Sequence, residues 1–267
     1  MKIGIAGAGG RMGRMNITQV VESEMAIFAA ALESKNSPFI GKNAYEIAGF
    51  GSSANFVEIT DDIDEFISDV DGVIDFTTPN STLEIAKKCA EKNLVHVIGT
   101  TGIDKDKESQ LKEFSKNARI VYAPNMSVGV NMLFALVEKA AKILDDSYDI
   151  EIVEMHHNKK VDSPSGTALG LGKAVAKGRN VNLEDVWCKE RDGNIGARKK
   201  GEIGFATLRG GDVVGDHTVI FATEGERVEI THKASGRNIF SKGALRACLW
   251  AKNQPSGLYS MLDVLGF

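Results

Sequence analysis

Cysteine is scarce in this sequence: Cys89, Cys188 and Cys248 are the only three, and they are far apart. That spacing forms neither a disulfide framework nor a paired-cysteine metal site, and it fits the reduced thiols of a cytoplasmic protein. No apolar run reaches the ~18 residues that a membrane-spanning helix needs. The opening residues, MKIGIAGAGG, lack a signal peptide's long apolar stretch; one lysine and a short apolar run lead into glycines, as in a first β-strand. Positive charge is not in excess either. With 32 Lys and Arg against 36 Asp and Glu the net charge is −4, so no broad basic face for nucleic acid is expected. There is no internal repeat and no low-complexity linker. What remains is 43% hydrophobic and 25% charged, ordinary for a soluble globular protein. A chain of 267 residues can bury a large core, and that length favours two domains.

Through the first half, short apolar runs alternate with helical patterns. Strands are expected at 2–6, 26–32, 56–59, 72–76, 95–98 and 120–123, and helices at 11–21, 61–67 and 104–116, with another running from Asn80 and Ser81 as caps to about Lys92. Apolar strands separated by helices of this length imply an α/β, doubly wound parallel sheet. Near residue 127 the rhythm changes. A long apolar helix at 130–144 precedes a strand at 150–154 and a small-residue helix at 167–176. Residues 201–233 then read as turn-separated strands, which implies a second, antiparallel or mixed sheet. Residues 239–251 return to a helical pattern.

The stretch GAGGRMG follows the first strand and opens the first helix. Gly7, Gly10 and their neighbours permit a tight turn and a close backbone approach to a pyrophosphate, and the helix N-terminus favours the anion. Gly13 comes one residue late for the usual GxGxxG spacing. Glu33, at the end of the second strand, is placed to accept hydrogen bonds from an adenosine ribose. Three further strand ends carry small residues where a flat nicotinamide ring needs room: Phe76 with Thr77 and Thr78; Gly99, Thr100 and Thr101; and Ala123, Pro124, Asn125 and Met126. Each is also compatible with ordinary loop chemistry.

Only five histidines are present, yet His156 and His157 are adjacent within VEMHHNKKVDSPSGTALG. Ser165-Gly166-Thr167 before a helix offers N–H groups, two hydroxyls and a helix dipole to a carboxylate or phosphate. His157 and Lys160 can add charge-assisted hydrogen bonds, and His156 or Lys160 can donate a proton. The competing readings are a bare helix cap and one structural plus one solvated histidine. A zinc site on Glu154, His156 and His157 is disfavoured, because adjacent strand residues point to opposite faces and no further ligand is evident. No metal is expected.

GAGGRMG, GTTG, APNMSVGV and above all EMHHNKKVDSPSGTAL resemble the dihydrodipicolinate reductase family, of the diaminopimelate route to lysine. The family pattern is met at Glu154, His156, His157, Lys160, Asp162, Pro164, Ser165, Gly166, Thr167 and Ala168. The resemblance implies a Rossmann-like cofactor domain over 1–127 and 238–267, and an α+β substrate-binding and tetramerisation domain over 128–237, closing together on ligand. It implies His156 and Lys160 as catalytic acids and His157, Ser165, Gly166 and Thr167 around a small dicarboxylate substrate. Gly7, Gly10, Arg11, Met12, Glu33, Phe76, Gly99, Thr100, Thr101 and the 123–126 turn would meet NADH or NADPH. The implied assembly is a cytoplasmic homotetramer.

One departure bears on cofactor choice. Many family members carry arginines where this chain has Ser34 and Thr78, both suited to a 2′-phosphate. Lys35 supplies a point charge in place of a bidentate fork. NADH is therefore expected to serve at least as well as NADPH. The alternatives are a dehydrogenase of another small amino or imino acid, and a non-catalytic nicotinamide sensor. A sensor has no need of the proton-donor cluster.

Overall fold

Two runs of buried strand set the frame. GVID and VHVI are buried at every position, as expected where helices cover both faces of a parallel sheet. The computed structural model describes residues 1–51 and 55–267. It separates into unit 1, Met1–Val128 with Asn238–Phe267, and unit 2, Gly129–Arg237.

Unit 1 begins with β1 (Lys2–Ala6), α1 (Arg11–Val21), β2 (Ile27–Leu32), α2 (Ala44–Ile47), β3 (Ile59–Thr60) and α3 (Ile63–Phe66). It continues through β4 (Gly72–Asp75), α4 (Pro79–Glu91), β5 (Val95–Ile98), α5 (Lys105–Phe114) and β6 (Arg119–Tyr122). Unit 2 contains α6 (Val128–Ile143), whose first residue still belongs to unit 1, then β7 (Asp149–His156), α7 (Gly166–Arg179), α8 (Leu183–Val186) and β8 (Trp187–Cys188). It closes with β9 (Ile203–Arg209), β10 (Gly215–Thr223) and β11 (Glu226–Ala234). The chain then returns to unit 1 with α9 (Asn238–Ala251), β12 (Gly257–Tyr259) and α10 (Met261–Leu265).

The sheet of unit 1 has the order β12-β6-β5-β4-β1-β2-β3 and is parallel throughout. The order reverses between β1 and β4, so the carboxyl ends of these two strands flank the crevice where open α/β sheets bind ligands. Ile3, Ile5, Ile17, Val97 and Ala244 share the core that joins α1 and α9 to the sheet.

Unit 2 is a mixed sheet ordered β11-β10-β7-β9-β8. Its pairs are antiparallel on the β10 side of β7 and parallel on the β9 side. β7 alternates buried and half-buried positions. Its inward residues Ile150 and Ile152 pack with Val219, Phe221, Leu171 and Val175 beneath α6 and α7. Among the described residues, no helix is long and apolar enough to cross a membrane.

Several boundaries differ from the sequence expectation. Helix α4 is capped by Thr78, not by Asn80 or Ser81, and Pro79 takes the first helical position, where its missing N–H costs nothing. The strand expected at 56–59 forms only at Ile59–Thr60. β7 extends two residues further than expected and so carries His156 on the sheet itself.

Candidate active site

The glycine loop of unit 1 explains its own spacing. Gly7 has φ +74, a conformation that disfavours side chains, and its carbonyl accepts the N–H of Gly10 at 3.0 Å. A Cβ on Gly13 would stand 2.0 Å from the Gly7 oxygen, so the late glycine is where α1 presses against the turn. Gly10 is the N-cap of α1 and has no side-chain cap, which leaves the helix's positive end to a ligand.

A cavity of about 570 Å³ opens beside this loop. Its lining includes Gly7, Gly10, Glu33, Ser34, Phe76 and Thr78, with Lys35, Asp61 and Glu84 as further charges. Glu33 accepts the N–H of Gly9 on one oxygen (2.8 Å) and that of Ser34 on the other (3.1 Å). A carboxylate has about four acceptor sites, so capacity for two ribose hydroxyls remains. The turn, the helix end, the acceptor and the cavity together fit a dinucleotide.

Arg11 and Met12 form the first turn of α1. Gly99, Thr100 and Thr101 follow β5, and Ala123 to Met126 follow β6. Two of these differ from expectation. Thr100 is 3% exposed, and its hydroxyl belongs to a buried network with Asp75, Thr77 and Thr82. Met126 is 1% exposed, with its side chain in the core. At both positions the side chain supports the loop. Gly99 has a clear reason to be glycine: a Cβ there would lie 2.3 Å from the Phe76 ring.

In unit 2, strand alternation turns Glu154 and His156 toward the buried face. Glu154 is 1% exposed. Its Oε2 accepts from His156 Nδ1 (2.6 Å) and Arg209 Nη1 (2.8 Å). Its Oε1 accepts from Arg209 Nη2 (3.0 Å) and the Ser165 N–H (3.0 Å). Burial alone would raise this carboxyl, but Arg209, His156 and the Ser165 amide outweigh it and hold it below the usual range. His156 therefore faces an ionised acceptor through Nδ1.

Lys160 pairs with Asp162 at 2.8 Å, and that lysine holds the Asp162 carboxyl low. A turn from His157 O to the Lys160 N–H brings His157 and Lys160 to the same loop. Gly166 opens α7, is exposed, and has open space where a side chain would be. Ser165 differs from expectation. It is 2% exposed and caps α7, accepting the Ala168 N–H at 3.1 Å. Its own N–H is on Glu154 and its hydroxyl also meets His217, so its polar groups are engaged within the fold.

Two residues of this cluster escaped sequence reasoning, Arg209 and His217. The available signal was histidine scarcity, since His217 is one of five. Only pairing reveals the neighbourhood: β9 sets Arg209 beside His156, and β10 sets His217 opposite Glu154. His217 is 3% exposed, and burial, then the nearby His156, push it down to about 4. It is neutral near pH 7. Among the described residues, no group of three or more His, Cys, Asp or Glu is placed to hold a metal ion.

Residues 1–126 match the family model described as dihydrodipicolinate reductase, N-terminus, and residues 129–265 the one described as dihydrodipicolinate reductase, C-terminus. A 4-hydroxy-tetrahydrodipicolinate reductase of Rhodopseudomonas palustris (strain BisA53) is 52% identical over 266 residues, covering 100% of this chain and 97% of the relative. A protein of the same name from Bartonella tribocorum is 51% identical, covering 100% and 98%. Among solved structures, a dipicolinate-bound dihydrodipicolinate reductase from Paenisporosarcina sp. TG-14 superposes with TM-score 0.79 at 23% identity, covering 98% of each chain, and so shares the fold.

Proposed function

Since the chain belongs to the dihydrodipicolinate reductase family, we propose how its own residues carry out that family's reaction, the NAD(P)H-dependent reduction of 4-hydroxy-tetrahydrodipicolinate to tetrahydrodipicolinate in lysine biosynthesis. Loss of water from the substrate leaves a conjugated imine, and one hydride and one proton complete the reduction. The reduced nicotinamide supplies the hydride when bound. Unit 1 holds the dinucleotide by the Gly7–Gly10 turn, the α1 N-terminus and Glu33.

Unit 2 binds the dianion and supplies the proton. Gly166 and Thr167, at the positive end of α7, take one carboxylate, and His157 adds a donor. Lys160 places a cation beside the ring, where negative charge develops as the hydride arrives. His156 gives the proton from Nε2, and Lys160 is the second acid. The observation that carries this reading is the 2.6 Å contact between His156 Nδ1 and an ionised Glu154. It keeps one imidazole nitrogen as an internal donor and leaves the other for the substrate.

The cofactor cavity bears on NADH against NADPH. Among the described residues Glu33, Asp61 and Glu84 line it against Lys35, and Ser34 and Thr78 bring no charge. A 2′-phosphate there meets repulsion without a bidentate partner. The first experiment follows nicotinamide absorbance with freshly generated 4-hydroxy-tetrahydrodipicolinate. NADH consumption with a kcat/KM at least equal to that for NADPH is expected. Failure to consume either, by folded protein that binds NADH, would refute the reductase reading, and a strong NADPH preference would refute the cofactor reading alone.

Assembly into a homotetramer is supported by the open face of the unit 2 sheet. Val153, Met155, Ala206, Leu208 and Ile220 lie opposite the helix-covered side, and Leu208 is 49% exposed. Such an apolar sheet face is suited to another copy. Residence in the cytoplasm is supported by three unpaired cysteines.

A further inference from the structure

Beneath the proton-donor motif the contacts close into a ring. Glu154 holds both His156 Nδ1 and the Ser165 N–H. The Ser165 hydroxyl lies 3.1 Å from His217 Nε2. The His217 ring returns to His156, edge to face, with centroids 5.1 Å apart. Arg209 clamps the ring from outside. It grips both oxygens of Glu154 and also donates to the Asp162 carbonyl at 2.7 Å. Thus β9, β7 and the cap of α7 meet at one carboxylate, and β10 joins them through Ser165 and His156.

We propose that Arg209 and His217 are positioning residues: Arg209 sets which nitrogen of His156 carries the transferable proton, and His217 ties that imidazole to the anion-binding turn of α7. The inference rests on the reductase reading and deepens it. A carboxylate gripped by two parallel guanidinium bonds cannot rotate away from Nδ1. The proton on Nδ1 is therefore fixed, and Nε2 becomes the exchanging position. Space is kept there by Gly215, where a Cβ would stand 3.0 Å from Nε2. His217 meets the Ser165 hydroxyl while Glu154 holds its N–H, so the turn that receives the carboxylate and the group that delivers the proton keep one spacing.

The test uses full-length protein with ¹⁵N-labelled histidine, read by two-bond ¹H–¹⁵N spectra, together with steady-state kinetics. His156, assigned through His156→Gln, is expected to be the Nδ1–H tautomer when neutral. Arg209→Met is expected to shift it toward the Nε2–H form and to lower kcat at least tenfold, with the KM for NADH within twofold of wild type. Arg209→Lys is not expected to restore kcat, because one ammonium cannot make two parallel bonds. It carries the same test if the methionine variant does not fold. His217→Phe keeps the ring edge and loses the Ser165 contact. It is expected to raise the substrate KM at least tenfold while the His156 tautomer is retained, and His217→Gln is expected to recover part of that loss. Folded variants that keep the tautomer, kcat and KM within twofold of wild type would overturn the inference. Wild-type turnover alone tests the reductase reading, and the imidazole spectra need no turnover, so the two failures are distinguishable.

Discussion

In the proposed reaction, the proton chemistry comes down to single residues. His156→Gln and Lys160→Ala are each expected to lower kcat by about 10²- to 10⁴-fold, the usual contribution of a positioned acid, with folding and NADH affinity retained. Stopped-flow and steady-state assays check this. Residue-scale burial also sets an acid limit to stability. His217 titrates near 4 in the folded chain against an ordinary 6.5, and Glu154 is held below its ordinary value. Between about pH 6.5 and 4 the unfolded chain binds a proton at residue 217 that the folded chain refuses. The stability this contributes is full above that window and falls through it, with Glu154 adding a further loss at lower pH. Urea midpoints measured from pH 7 to 4 are expected to decline, and His217→Phe to flatten the upper part of that decline. The clustering of His156, His157 and Lys160 was readable in the sequence because they fall within five residues of one another. Ser165 misled because a hydroxyl suits an anion, while its burial depends on a carboxylate eleven residues earlier and an imidazole from another strand.

At the scale of elements, loop and helix are fitted to each other. Gly13→Ala would drive a methyl into the Gly7 carbonyl, which is backbone and so has no flexible side chain to yield. It is expected to raise the NADH Kd at least tenfold and to lower the melting temperature, as checked by calorimetry. Apolar strands such as β4 and β5 were legible because burial on both faces removes alternation. β12 was not: a three-residue strand, Gly257 to Tyr259, has no period to detect and exists only through pairing with β6. The short helices α2 and α8 have the same difficulty, since four residues complete barely one turn.

For the molecule as a whole, the open face of the unit 2 sheet carries the assembly proposal. Leu208→Asp places a charge on that face and is expected to shift the solution mass from tetramer toward smaller species, as read by light scattering. The change from parallel to mixed sheet was visible as a change of rhythm near residue 127. The pairing that brings β9 and β10 to either side of β7 was not, because register between distant strands leaves no local pattern.

The return of α9 and β12 to unit 1 also fixes an order of events during synthesis. All five strands of the unit 2 sheet leave the ribosome before β12, which supplies the outer strand beside β6. Until then β6 has a bare edge and the α9 side of the core faces water. The unit translated first is therefore completed last, and a nascent chain that has emerged only as far as residue 237 carries all of unit 2 but an unfinished unit 1 with a bare strand edge, the kind of species that chaperones recognise.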